Sequence, residues 1–455
     1  MVGPKAAEEF WTRFRDSFFA EEDVAAIAEA GFDHIRLPIN SRVVMTESGD
    51  MLDGGLELID RAIAWCRDRG LSVLLDLHGA PGGQTGTNID DSPHGRPELF
   101  IQARYRAQAV ELWTELARRY RDEPAVMGYD LLNEPLPNEW QHVYRDELAA
   151  LYRDLTSAIR AVDPNHLLMY EGAHWATNWD LFTEVWDDNS CLQFHKYWSA
   201  PDTASLRRFL DARERLGLPI YMGEGGENNP EWLYTAFRLY EHHGIGWNLW
   251  PWKKVGTVTS PLSIRTPKDW DAVVEMAAGG AAIDGSRARR ILDELIESMP
   301  PSRCDRRPEV TAAVFGDAPS VIPAWGFGFE GPGRSFQTSA AKPLATIRAD
   351  DAVTVRFQMP RAAEGNPFEH PFGAEPAEDE RLIVNLEAGD WLHYPLPAGT
   401  ADYRALAPGG EPARELRIDR EADGVRVSAT GSTAIWRLVR TDAAYPGSTG
   451  DSGAA

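Results

Sequence analysis

The chain has 455 residues, 43% apolar and 25% charged. These are ordinary globular proportions, which exclude a wholly disordered chain and a fibrous repeat and leave room for two or three domains. The net charge of −24 repels a phosphate backbone and argues against nucleic acid as a partner. No apolar run of about 18 residues is present to span a membrane.

The N-terminus, MVGPKAAEEFWTRFRDSFF, places acidic residues where an export signal needs a basic start and an apolar stretch. Its aromatic residues Phe10, Trp11, Phe14, Phe18 and Phe19 read as helix or packed loop. From residue 20 to residue 300, strand-like apolar runs alternate with helical patterns. The strands are expected at 32–39, 71–77, 126–132, 166–170, 190–197, 218–223 and 244–250. Between them, Leu56, Ile59, Ile63 and Cys66 share one helical face, with Asp53 as the expected N-cap and Gly70 as the stop. Tyr105, Ala109, Leu112 and Leu116 make a second stripe. Repeated strand–helix alternation predicts parallel strands with crossover helices, closing into a (β/α)8 TIM barrel. Only seven strands are found, and the chain is expected to begin downstream of the first. The location is accordingly outside the cell if the start is truncated, and cytoplasmic otherwise.

After residue 305 the period changes to two. Val353, Val355, Phe357 and Met359 alternate with polar residues, as do Leu382, Val384 and Leu386, and Val425, Val427 and Ala429. This predicts a C-terminal antiparallel β-sandwich with a long loop over 360–380. The expected organisation is a barrel over 1–305, a sandwich over 306–445 and a disordered tail over 446–455. The sandwich either braces the barrel or binds carbohydrate through Asp390-Trp391-Leu392-His393-Tyr394. Cys66, Cys191 and Cys304 are widely spaced, lack metal-ligand spacing, and read as buried free thiols.

The informative feature is what ends each barrel strand, because parallel barrels build their sites from the loops at the C-terminal strand ends. In order these ends carry Arg36, His78, Asn133-Glu134, Glu171, His195 with Tyr197, Glu224, and Trp250. An apolar plug would serve packing better than polar groups at nearly every end. Two carboxylates among them suggest glycoside chemistry, in which one protonated acid assists the leaving oxygen and one ionised carboxylate meets the anomeric carbon. Glu134 precedes Pro135, which ends the ladder, and Glu224 stands among glycines in Met222-Gly223-Glu224-Gly225-Gly226. Glu171 is a rival nucleophile, whereas Asp76 and Asp130 lie deeper inside apolar runs. Sugar stacking on Trp175, Trp179, Trp198, Trp250 and Trp252 stands open beside simple rim packing. Asn88–Ser92 reads as a turn or sugar-binding loop rather than a calcium loop.

Arg36-Leu37-Pro38, Asp76-Leu77-His78, Asn133-Glu134-Pro135, His195-Lys196-Tyr197, Gly223-Glu224 and Trp250-Pro251-Trp252, in this order along a barrel pattern, resemble glycoside hydrolase family 5. This is the retaining cellulase and β-glucanase family, and the resemblance covers roughly residues 20–300. It implies Glu134 as general acid/base and Glu224 as nucleophile, with no role for Glu171. It further implies that Asn133 hydrogen-bonds the sugar 2-hydroxyl and Tyr197 orients Glu224. Arg36 and His78 would set charge and geometry, His195 would sit near the acid, and Trp250 would floor the first sugar subsite. The segment from His78 to Gln84 resembles the corresponding loop of exo-1,3-β-glucanases and some endoglucanases, which points to β-glucan. The implied partner is a carbohydrate, with no cofactor and no metal. A β-mannan- or β-glucoside-active hydrolase and a silent glycan-binding barrel are the alternatives. Oligomeric state is not legible in the sequence.

Overall fold

The computed structural model describes residues 1–339, 347–359, 366–397 and 402–442. The expected tail over 446–455 and the first part of the 360–380 loop lie outside the described residues.

Seven strands form one sheet in chain order: β1 (His34–Asn40), β2 (Ser72–Gly79), β3 (Val126–Asp130), β4 (Leu167–Glu171), β5 (Ser190–His195), β6 (Ile220–Gly226) and β7 (Gly246–Trp250). Each successive pair from β1 to β6 is parallel. All seven coincide with the strands expected from sequence, in the nearly closed arrangement of a TIM-like barrel. Where an eighth strand would precede β1, the chain forms the helix Pro4–Phe18. Phe10, Phe14 and Phe18 recur at a four-residue spacing there and their rings meet in sequence. The helix lies beside Gly285–Glu297, tied by Glu9 to Arg289 (2.8 Å) and by Arg13 to Asp293.

The intervening helices follow their apolar stripes. In Asp53–Asp68 the residues Leu56, Ile59, Ala62, Ile63 and Cys66 are buried, and Gly70 (φ +73°) follows the helix in the left-handed region that few other residues tolerate. Asp53 is not the N-cap. Leu52 holds the extended capping conformation, and Asp53 enters the first turn, where its carboxylate faces the positive end of the helix dipole. In Ala103–Tyr120 the expected stripe of Tyr105, Ala109, Leu112 and Leu116 is buried. Leu74, Met169, Cys191 and Tyr221 form a core cluster from four different strands. All three cysteines are buried and free.

The period-two stretches form antiparallel sheets. Thr354–Phe357 pairs with Leu382–Leu386, which pairs with Thr433–Ile435. Phe336–Gln337, Trp391–Pro395, Gly424–Ala429 and Leu416–Glu421 make a four-stranded sheet, and Val321–Pro323, Arg437–Arg440 and Tyr403–Leu406 a three-stranded one. Compact units in the chain fall as 1–196 with 209–224 and 264–305, and as 197–208 with 225–263 and 306–455. The second unit therefore takes two segments from within the stretch that the sequence assigns to the barrel.

Candidate active site

On a strand, residues two apart face the same side, and this rule assembles the site from β1 to β6. Arg36 on β1 is the hub, and its guanidinium is fully buried. It donates to Asp130 (2.7 Å), Glu224 (2.6 Å), Asn133 Oδ1 (2.9 Å) and Glu171 (3.0 Å), and lies 3.1 Å from Asp76. Burial works against the cation, but the surrounding carboxylates outweigh it and hold Arg36 charged. Asp76 and Asp130 are register partners on β2 and β3, and Glu171 and Gln193 are partners on β4 and β5. Gln193 Nε2 donates to Asp130 (2.6 Å) and to Glu171. Gly223 permits this packing, because a Cβ there would lie 2.2 Å from the Gln193 side chain.

Above this floor sit Glu134, His195 and Glu224. One oxygen of Glu134, one of Glu224 and a ring nitrogen of His195 all lie within 4.8 Å of one another. His195 Nδ1 is 2.8 Å from Glu134 and 3.7 Å from Glu224, while its Nε2 is 3.3 Å from Glu171. His195 and Glu224 are register partners across a bulge between β5 and β6. Glu134 follows β3 with φ +42°, a left-handed conformation that a non-glycine residue adopts only where its surroundings impose it. The imposing bonds are visible. Glu134 N donates to Glu171 (2.7 Å) and Asn133 N to Leu77 O (3.1 Å). Gln84 Nε2 donates to both His78 O (2.8 Å) and Asn133 O (2.9 Å). His78 is itself held by Asp76 at 2.8 Å.

The carboxylates differ in environment. Glu134 and Glu224 keep 12% and 5% of their side chains exposed, whereas Asp76, Asp130 and Glu171 keep none. Burial pushes Glu134 up, Glu224 and Glu171 add to this, and His195 only partly offsets it. Burial would raise Glu171 too, but His195, Arg36 and the Glu134 N–H together pull it down to about 2. Asp130 is raised, first by burial and then by its carboxylate neighbours despite Arg36. For His195, burial is overcome by Glu171, Glu224 and Glu134, so the imidazole is held protonated well above its ordinary value. Asn133 Nδ2 is a buried donor with no hydrogen-bond partner among the described residues.

Of the residues expected from sequence, Arg36, His78, Asn133, Glu134, His195 and Glu224 come together in the first unit, and Tyr197 and Trp250 belong to the second. Glu171, the rival nucleophile, is wholly enclosed, and its oxygens face Arg36, Gln193, His195 and Glu134 N. Trp179 is core, packed against Phe182, Phe194 and Phe209. In the Asn88–Ser92 turn, the Asp90 carboxylate accepts from Gln84 N, Thr85 N and Ser92. Sequence reasoning missed the positioning roles of Asp76, Asp130, Gln193 and Gln84. Two were signalled by spacing, since Asp76 and Gln193 each stand two residues before a site histidine.

The chain matches the model of the cellulase family, glycosyl hydrolase family 5, over residues 4–256. It is 28% identical over 298 residues to a beta-xylosidase of Phanerodontia chrysosporium, an alignment covering 56% of this chain and 61% of that one. It is 32% identical over 224 residues to the probable glucan 1,3-beta-glucosidase A of Emericella nidulans, covering 46% and 54%. To endoglucanase C of Acetivibrio thermocellus it is 31% identical over 189 residues, covering 40% and 51%. The chain thus spans less than two thirds of the length of these curated relatives. With the family match running through every strand from β1 to β7, this protein belongs to glycosyl hydrolase family 5.

Proposed function

We propose that the protein is a retaining β-glycoside hydrolase acting on β-glucans, with Glu224 as nucleophile and Glu134 as general acid/base. The observation that carries this reading is the approach of one carboxylate oxygen of Glu134 and one of Glu224 to within 4.8 Å of each other. Retaining glycosidases hold their two carboxyls about 5–5.5 Å apart, whereas inverting ones leave about 6.5–9.5 Å for a water.

Arg36 donates to Glu224 and holds the carboxylate in place for attack on the anomeric carbon. The raised pKa of Glu134 favours the protonated form that gives its proton to the departing oxygen. The attack forms an ester between Glu224 and the sugar as the glycosidic bond breaks. Glu134, now ionised, takes a proton from water, which attacks the same carbon and releases Glu224. Asn133 Nδ2, without a hydrogen-bond partner among the described residues, suits a hydrogen bond to the sugar 2-hydroxyl. Tyr197 and Trp250 enter this proposal as substrate-site residues on the family resemblance.

The relatives named as glucan 1,3-beta-glucosidase and endoglucanase support β-glucan as the substrate class. Release of reducing sugar from laminarin, carboxymethyl-cellulose and β-mannan tests it. Hydrolysis of one of the two glucans above β-mannan is the expected result. Preference for mannan would replace the substrate, and inertness on all three and on aryl β-glycosides would replace the enzyme with a glycan-binding barrel.

A further inference from the structure

The second unit contains a cluster of ligand-type residues separate from the Glu134, His195 and Glu224 group. His393 lies on the strand Trp391–Pro395, Glu421 ends the strand Leu416–Glu421, and Asp423 sits in the tight turn before Gly424–Ala429. One ligand atom from each lies within 4.8 Å of the others. His393 is only 7% exposed, and its buried Nε2 has no hydrogen-bond partner among the described residues. That nitrogen points at the carboxylates, 3.3 Å from Asp423 Oδ1 and 3.7 Å from Glu421 Oε2. A buried imidazole nitrogen is ordinarily hydrogen-bonded or bound to a metal ion, and this one makes only a longer approach to carboxylates.

We propose that His393, Glu421 and Asp423 form a binding site for a divalent transition-metal ion of the zinc type. Imidazole nitrogen with carboxylate oxygen is a donor set that suits zinc rather than calcium or magnesium, which take oxygen ligands. The spacing also fits. Ligands about 2.0–2.1 Å from a tetrahedral ion stand about 3.3–3.4 Å from each other, close to the observed 3.3 and 3.7 Å.

Glycine at 424 leaves room for the ring, since a Cβ there would come within 2.8 Å of His393 Nε2 and 2.1 Å of Tyr394 O. The three residues open onto a cavity of about 780 Å³ in the same unit, which gives the ion an entry path and a place for a fourth, water ligand. Arg426 already binds Glu421, at 2.6 Å through Oε1 and 3.2 Å through Oε2. The ion would take over Oε2 and leave Oε1 to the guanidinium. Bound there, it would tie the Trp391–Pro395 strand to the hairpin formed by Leu416–Glu421 and Gly424–Ala429.

The test is titration of the full, chelator-treated chain with zinc chloride, followed by calorimetry and by melting temperature. One zinc per chain is expected, with a rise of roughly 3 °C or more at saturation. Because His393→Ala removes a buried side chain, Asp423→Asn, at an exposed position, decides the outcome. A loss of affinity of at least about fivefold in Asp423→Asn supports the site. A smaller loss, or no binding by the parent chain, overturns it. Capture of zinc by Glu134, His195 and Glu224 instead would leave the variant's affinity unchanged, and so count among the overturning results.

Discussion

The floor and the mouth of the candidate active site use the same residue types to opposite ends. On the floor, Asp76, Asp130 and Glu171 are sealed around Arg36 with no exposed side-chain area. At the mouth, Glu134 and Glu224 share the His195 imidazole, and Glu224 also the guanidinium, but both keep part of the side chain exposed. Two glutamates contacting one histidine are driven in opposite directions, Glu171 down to about 2 and Glu134 upward. A carboxylate is held ionised when donors surround both its oxygens, as at Glu171, and is driven toward its protonated form when burial outweighs its donors, as at Glu134, where access to a ligand remains.

That contrast predicts where substitutions act. Glu224→Gln, at the mouth, should lower turnover of an aryl β-glucoside by roughly 10⁴-fold or more with an unchanged circular dichroism spectrum. Turnover near that of the parent would move the nucleophile elsewhere. Next in size, Glu134→Ala should cost about 10²–10⁴-fold. Azide should restore part of the rate on a substrate with an activated leaving group, giving a β-glycosyl azide. The raised pKa of Glu134 means that its protonated form is lost as pH rises, so the alkaline limb of kcat/KM should disappear in the variant. An unaltered limb would separate Glu134 from the acid role.

On the floor the readout is stability. Glu171→Ala leaves Arg36 and Gln193 short of a buried partner and should cost about 3–5 kcal/mol in urea unfolding. Glu134→Ala should stay within about 1 kcal/mol. Equal losses in the two variants would erase the distinction between floor and mouth. Because the folded pKa of Glu171 is depressed, its contribution is present above its ordinary value. It is lost as pH falls from about 4.5 towards about 2. The parent should therefore lose stability across that window more steeply than Glu171→Gln.

Much of this arrangement was legible in the chain. All seven barrel strands declare themselves as apolar runs, and the polar groups at their ends include Arg36, His78, Asn133, Glu134, His195 and Glu224, which the fold gathers in one unit. Such ends stand out because a strand buried on both faces otherwise reads as continuous hydrophobic sequence. Asp76 and Asp130 were set aside because they lie inside those runs, yet that depth is what brings them to Arg36. Pattern reading treats a charge within an apolar run as an exception, and only a three-dimensional partner explains it. Nothing in the sequence gives Gln84 a role, since its bonds reach backbone atoms 49 and 6 residues away. Residue type points to Asp53 as a cap, whereas the cap at Leu52 is set by backbone geometry. The partition into compact units was equally out of reach, because segments 197–208 and 225–263 join the second unit through space rather than through sequence.

The central claim is that Glu224 bonds covalently to the sugar. A 2-deoxy-2-fluoro-β-glucosyl fluoride tests it directly, because fluorine at C2 slows breakdown of the ester while fluoride leaves readily. Intact-mass measurement followed by peptide mapping reads the outcome. The account predicts one fluoroglucosyl group per chain, on the peptide containing Glu224 and absent from Glu224→Gln. A label on Glu134 or Glu171 would contradict it.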